Sequence, residues 1–120
     1  MEGKKIKVLM LMKFPLYGGG SGNYTRKLAE KLAYLENIEV AIAAPDIRQI
    51  DNVRLFTLHP RRKAVFVSHP EYKRAKKYQD LTGKEFTDLY QSFLNQIVDI
   101  VEKYKPDVIH VHHCSFLTWI

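Results

Sequence analysis

Residues Lys4 to Leu35 read KKIKVLMLMKFPLYGGGSGNYTRKLAEKLAYL, and this stretch decides the fold. Its first part, from Ile6 to Met12, is apolar at every position except Lys7. A nearly continuous apolar run of this length is typical of a strand that is covered on both faces, as in a parallel sheet. The sequence therefore predicts a buried parallel strand at the start of the chain.

A glycine-rich turn follows that strand and leads into a helix. Pro15 offers no donor to a sheet ladder, and the glycines at 18–20 allow backbone angles that other residues avoid. Either Ser21 or Asn23 is predicted to cap the helix. A strand, a glycine turn and a helix start bring unpaired amide donors together, which is an arrangement that attracts phosphate. The apolar face of the helix comprises Leu28, Ala29, Leu32, Ala33 and Leu35.

The glycine turn does not match the two common phosphate-binding motifs. A dinucleotide fingerprint would need a third glycine where Asn23 or Thr25 stands, and a P-loop would need lysine directly after Gly22. A turn that only reverses the chain is the alternative interpretation.

Composition limits the chain to one domain or part of one. It has 120 residues, 46% of them hydrophobic, and a net charge of +6 that favours anionic partners. The sole cysteine, Cys114, excludes an internal disulfide and fits a reducing cytoplasm. The apolar run at the start is too short to span a bilayer, which takes about 20 residues. We therefore expect a cytoplasmic protein, soluble or held at a membrane surface.

Three further strands and a long helix complete the pattern. The strands are predicted at Ile38–Ala44, Arg54–Leu58 and Asp107–Val111. A Ser/Thr-x-x-Glu capping box at Thr82 to Glu85 begins the helix, which ends near Lys103 to Lys105. Its predicted apolar face comprises Phe86, Leu89, Tyr90, Phe93, Leu94, Ile97, Val98 and Val101.

This order of elements predicts an α/β fold with a doubly wound parallel sheet and helices on both faces. In such sheets ligands bind beyond the carboxyl ends of the strands. The glycine turn and the histidines that close the last strand are both expected at that edge.

The last strand ends in a cluster of imidazoles and one thiol. His110, His112, His113 and Cys114 are of the types that bind zinc, but His110 and His112 share one face of a strand and His113 points away. No metal site is therefore expected. His110 is interpreted as a buried core residue, and His112 as the residue placed to meet a ligand as a base or donor. A purely structural His112 is the alternative.

The stretch from Arg61 to Lys77 carries most of the excess positive charge. It is predicted to hold an extended piece at Ala64 to Val67 and a turn or two of helix from Glu71 to Tyr78. A solvated basic face and contact with an anionic membrane are both compatible with it. Nucleic acid is not expected, because the stretch lacks a recognition-helix or stacking pattern.

Taken together, these motifs resemble the amino-terminal domain of retaining GT-B glycosyltransferases of family 4. The likeness rests on Gly19-Gly20-Ser21-Gly22, on the helix with Leu28-Ala29 and Leu32-Ala33, on the strand containing Glu39-Val40, and on the run from Asp107 to His112. It covers the chain from about Lys4 to Ile120. The resemblance implies a Rossmann-like acceptor-side domain of which residues 1–120 are a truncated part, without the donor-binding domain.

The family also implies roles for individual residues. In the loop Gly19, Gly20, Ser21 and Gly22, the three glycines would approach the diphosphate of a nucleotide-sugar, and His112 would line the cleft beside the transferred sugar as the catalytic residue. His113 departs from the family pattern and receives no role. The acceptor would be a sugar or a lipid-linked sugar, and neither a cofactor nor a metal is implied.

The chain alone is expected to be inactive, because the Glu-x7-Glu motif that binds nucleotide and sugar belongs to the missing domain. The second hypothesis is a stand-alone α/β module that binds a nucleotide or phosphorylated ligand without chemistry. The length of the native gene distinguishes the two.

Overall fold

The computed structural model describes residues 4–60, 63–65 and 69–112. These residues form six strands, two α-helices and a short 3-10 helix. In chain order they are β1 (Ile6–Leu11), α1 (Gly20–Ala33), β2 (Ile38–Ala44), β3 (Arg54–Thr57), β4 (Ala64–Val65), β5 (Lys76–Lys77), the 3-10 turn (Tyr78–Asp80), α2 (Gly83–Tyr104) and β6 (Val108–Val111).

Four of the strands form one parallel sheet in the order β3-β2-β1-β6. β1 lies inside the sheet, with Val8 opposite Val40 of β2 and opposite Val108 of β6. Such a position explains why residues Val8 to Met12 are all buried, as the apolar run predicted. The parallel α/β sheet predicted from the sequence is confirmed.

The two faces of the sheet carry different helices. Since successive strand residues point to opposite faces, Met10 packs on the side of α1 and Leu11 on the side of α2. Ala29 of α1 lies in the first core, and Phe93 and Ile97 of α2 lie in the second. The prediction of helices on both faces is therefore confirmed.

Helix α1 begins two to four residues earlier than the two predicted caps imply. Its N-cap is Gly19, which makes no side-chain hydrogen bond to the helix, so Ser21 and Asn23 are not caps but lie within the first turn. The prediction of a Ser21 or Asn23 cap is wrong, because the glycine run itself enters the helix instead of remaining outside it.

Helix α2 follows its predicted boundaries. The Thr82 hydroxyl accepts from the Glu85 amide and the Glu85 carboxylate accepts from the Thr82 amide, which is the predicted capping box. Lys105 ends the helix in the left-handed region at φ 53°. Its buried face is narrower than predicted, since Phe86 and Val98 are 37% and 43% exposed. The face instead continues through Ile100 and Tyr104.

The basic stretch forms a small second sheet. Ala64–Val65 pairs in parallel with Lys76–Lys77. The helix predicted from Glu71 to Tyr78 is wrong, because Tyr72 and Tyr78 pack edge-on against Phe14, at ring distances of 6.5 Å and 6.4 Å, and the chain between them turns. The predicted extension of the first piece to Val67 lies outside the described residues. No helix in the described part of the chain is long and apolar enough to cross a bilayer.

Candidate functional site

The strand order predicts a crevice at one edge of the sheet. The chain proceeds outward from β1 to β2 and β3, and then returns to place β6 on the other side of β1. Ligands of doubly wound folds bind beyond the carboxyl ends of the strands at such a reversal. The glycine turn follows β1 and His112 follows β6, so both predicted site segments lie at this crevice.

His112 contacts the first helix directly. Its backbone amide donates to the Leu11 carbonyl at 3.0 Å, and its Nδ1 lies 3.0 Å from the Thr25 hydroxyl. The Thr25 hydroxyl has one proton, which it donates to the Ser21 carbonyl at 2.8 Å. Nδ1 must therefore donate to Thr25, and the lone pair of a neutral His112 ring then resides on Nε2.

The surroundings of the histidines differ from the prediction in two respects. His112 is only 8% exposed, so it does not face solvent as a residue at the mouth of a cleft would. His110 is half-buried rather than a core residue, and its ring stacks on His112 at 4.3 Å. The Tyr24 ring meets His112 edge-on at 6.0 Å.

The metal hypothesis depended partly on His113 and Cys114, which lie outside the described residues. Across residues 4–60, 63–65 and 69–112, no group of three or more His, Cys, Asp or Glu side chains is arranged to hold a metal ion.

The start of α1 presents backbone donors. The amides of Gly20, Ser21 and Gly22 precede the first helical hydrogen bond, in which the Asn23 amide donates to the Gly19 carbonyl at 3.0 Å. Throughout α1, which is described in full, neither a side-chain cap nor an acidic residue in the first turn competes for these donors. They are therefore oriented to bind an anion.

The glycines of the loop have different surroundings. A β-carbon on Gly22 would lie 2.8 Å from the backbone of Pro15 and Leu16, so Gly22 is needed for close packing. A β-carbon on Gly20 would meet nothing within 4 Å. Gly18 has a φ of +90°, which few residues other than glycine adopt. Of the predicted ligand contacts, Gly20 is thus open to the crevice and Gly22 is enclosed.

A buried carboxylate fixes the turn after β1. The Asp46 side chain, 1% exposed, accepts from the Leu16 amide at 2.9 Å and from the Arg48 guanidinium at 2.6 Å. Burial alone would raise the pKa of Asp46, but the hydrogen bonds from Arg48 and Leu16 outweigh it and lower this pKa. Arg48 also bonds Glu71 at 2.8 Å and lies over the Tyr17 ring at 4.2 Å, and its two carboxylates raise its own pKa.

Lys13 is a second buried charged residue at this edge. It is 2% exposed, and its Nζ lies 4.6 Å from the centre of the Tyr78 ring and 5.7 Å from that of Phe14. Burial lowers the pKa of Lys13 to about 8. Lys13 and Asp46 each stand two residues after the end of a buried strand, the one signal in the sequence that could have indicated them.

Two adjoining clefts open beside the carboxyl ends of β2 and β3. The first has a volume of about 520 Å³, and its lining includes Arg48, Thr57 and His59. The second, of about 590 Å³, has a basic lining that includes Lys73 and Arg74. The basic stretch therefore forms part of a concave surface rather than only a solvated face.

Comparison with known proteins identifies no family for this chain. No family model matches the chain, and no curated protein matches it.

Proposed function

We propose that this chain is the acceptor-side domain of a retaining GT-B glycosyltransferase and works with a donor-binding domain. The observation that supports this best is the hydrogen bond between Thr25 and His112. It joins the helix that begins with the glycine loop to the end of the strand across the crevice. A ligand at this point would meet amide donors on one side and an imidazole on the other.

Each side suits one part of a nucleotide-sugar. The amides of Gly20 and Ser21 would bind the diphosphate and stabilise the charge that develops on it as the sugar departs. The His112 imidazole would orient the sugar ring. Since this imidazole is only 8% exposed, the crevice would have to open around it when the ligand binds. The cleft lined by Arg48 and Thr57 would hold the acceptor.

The test uses the product of the native gene at its full length. We expect it to transfer a sugar from at least one of a panel of nucleotide-sugars, measured by release of the nucleoside diphosphate. His112→Ala should lower turnover roughly 30- to 1000-fold, the usual effect of losing a polar contact to the transition state, about 2 to 4 kcal/mol.

Because His112 is buried and hydrogen-bonded, the melting temperature of the variant must be measured as well. His110 is unsuitable as an inert control, since its ring contacts His112. A full-length product that binds a phosphorylated ligand but transfers no sugar would contradict the proposal and favour a binding module. If His112→Ala retained the turnover of the wild type, His112 would have no role in the mechanism.

A further inference from the structure

His69 places a buried N–H donor beneath the glycine loop. The residue is 8% exposed and its ring stacks on Phe14 at 6.1 Å. Its Nδ1 accepts a hydrogen bond from the Glu71 amide at 3.1 Å. Since that nitrogen supplies a lone pair, the ring proton resides on Nε2.

This Nε2–H group is aimed at the loop. It lies 3.5 Å from the position that a Gly19 β-carbon would occupy, and the neighbouring Cε1 lies 3.6 Å from the corresponding position at Gly18. Within the described part of the chain, Nε2 has no hydrogen-bond partner. A buried donor without a partner is unfavourable, and most buried polar side-chain atoms in native proteins are hydrogen-bonded.

We propose that His69 is a side-chain donor for a phosphate or diphosphate group bound at the start of α1. The loop amides and the imidazole N–H would then contact the anion from two directions. The choice of a diphosphate rests on the proposed function, whereas the donor rests on the geometry of His69 and Gly19.

Binding requires a small movement of the loop, because Nε2 is buried and a β-carbon at Gly19 would lie only 3.5 Å from it. Glycine allows such a movement, since no side chain must be displaced. The Glu71 carboxylate near Gly18 is paired with Arg48 at 2.8 Å, which weakens its repulsion of an anion, although Arg48 also pairs with Asp46.

The experiment is an NMR titration of the 120-residue chain with inorganic pyrophosphate. Backbone amides and the histidine ring nitrogens are both followed through their ¹⁵N shifts. We expect saturable shifts of the Gly18 to Gly22 amides and of His69 Nε2. The proposal is overturned if the loop amides and Nε2 do not respond.

Two substitutions at His69 test the roles of its two ring nitrogens separately. His69→Asn keeps an acceptor for the Glu71 amide but removes the Nε2 donor, and we expect its pyrophosphate dissociation constant to rise about tenfold. His69→Gln keeps a donor near the Nε2 position, and its constant should stay within about threefold of the wild type. These values follow from the worth of a hydrogen bond to a charged group.

Equal affinity in wild type and a folded His69→Asn would overturn the role of His69. If His69→Asn does not fold, the ring-nitrogen shifts of the wild type decide the question. Failure of the proposed function can be distinguished from failure of this inference. If the full-length product transferred no sugar but pyrophosphate binding still depended on His69, the proposed function would fail and this inference would stand.

Discussion

Thr25 is the residue that sets the tautomer of His112. Its hydroxyl donates a hydrogen bond to the Ser21 carbonyl and accepts one from His112 Nδ1, which leaves Nε2 as the acceptor. We expect Thr25→Val in the full-length product to lower turnover about tenfold, because a hydrogen bond near a charged or reacting group contributes about 1.4 kcal/mol or more.

Thr25→Ser is the matched control for this prediction, since it retains the hydroxyl and should retain most of the activity. The ¹⁵N shifts of His112 provide a second measurement, which should show the Nδ1–H form in wild type and serine variant only. Turnover that falls equally in both variants would contradict the positioning role.

Gly20 and Gly22 offer a second matched pair. Gly20→Val should leave the melting temperature nearly unchanged but lower turnover of the full-length product, because the new side chain would project into open space where the diphosphate is expected. Gly22→Ala should destabilise the chain by about 1 to 3 kcal/mol, since its β-carbon would overlap the Pro15 and Leu16 backbone. Thermal unfolding and kinetics of both variants check this, and an equal loss of stability and turnover in Gly20→Val would assign the loop a structural role only.

For single residues, the sequence predicts the position of a functional residue in the fold but not its side-chain contacts. His112 follows a strand end, so its position at the sheet edge was predictable. Its bond to Thr25 was not, because the two residues are 87 positions apart and the contact depends on how α1 packs. His69 was missed for the same reason, since it approaches Gly19 only through the folding of the basic stretch.

Among the elements, α2 shows the closest agreement between local sequence and structure. Its capping box is a local hydrogen-bond pattern, so sequence spacing alone identifies it. Thr82→Ala should lower the free energy of unfolding by about 1 kcal/mol, because it leaves the Glu85 amide without its acceptor.

Urea unfolding measures this effect, and Thr87→Ala is the control, since Thr87 is exposed within the same helix. The control should not lower stability, because alanine favours a helix over threonine by up to about 0.7 kcal/mol. If both variants lost the same stability, the cap would contribute nothing.

The faces of the elements were harder to predict than their ends. Apolar spacing marks Phe86 and Val98 as equivalent to Phe93, yet only Phe93 lies under the sheet. The apolar stripe of this helix is wider than the area that a four-stranded sheet covers. The sequence does not indicate which residues of the stripe lie under the sheet. The start of α1 was misplaced because glycine is permitted both before and within a first turn.

For the molecule as a whole, Lys13 should make stability depend on pH in a defined window. Both folded and unfolded chains bind the Lys13 proton below about pH 8, whereas only the unfolded chain binds it between about 8 and its ordinary pKa of 10.5. Raising the pH through this window therefore stabilises the folded chain. The raised pKa values of Tyr78 and Tyr104 act in the opposite direction once the pH exceeds about 10.

The measurement is urea unfolding of wild type and Lys13→Met at pH 7, 8, 9 and 10. The difference in unfolding free energy between the two proteins should stay constant up to about pH 8 and then shift in favour of the wild type. Methionine keeps a similar volume and lacks the titrating group, so parallel curves over the whole range would show that burial does not lower the pKa of Lys13.

The order of the strands also has a consequence for synthesis on the ribosome. β1, β2 and β3 leave the exit tunnel in succession and can pair as they emerge, whereas the partner of β1 on its other side is made about a hundred residues later. A nascent chain stopped before Val108 would already contain the glycine loop and both helices, yet it would lack His112. The site would thus be completed only when β6 pairs with β1, after the segments that carry its other half have been made.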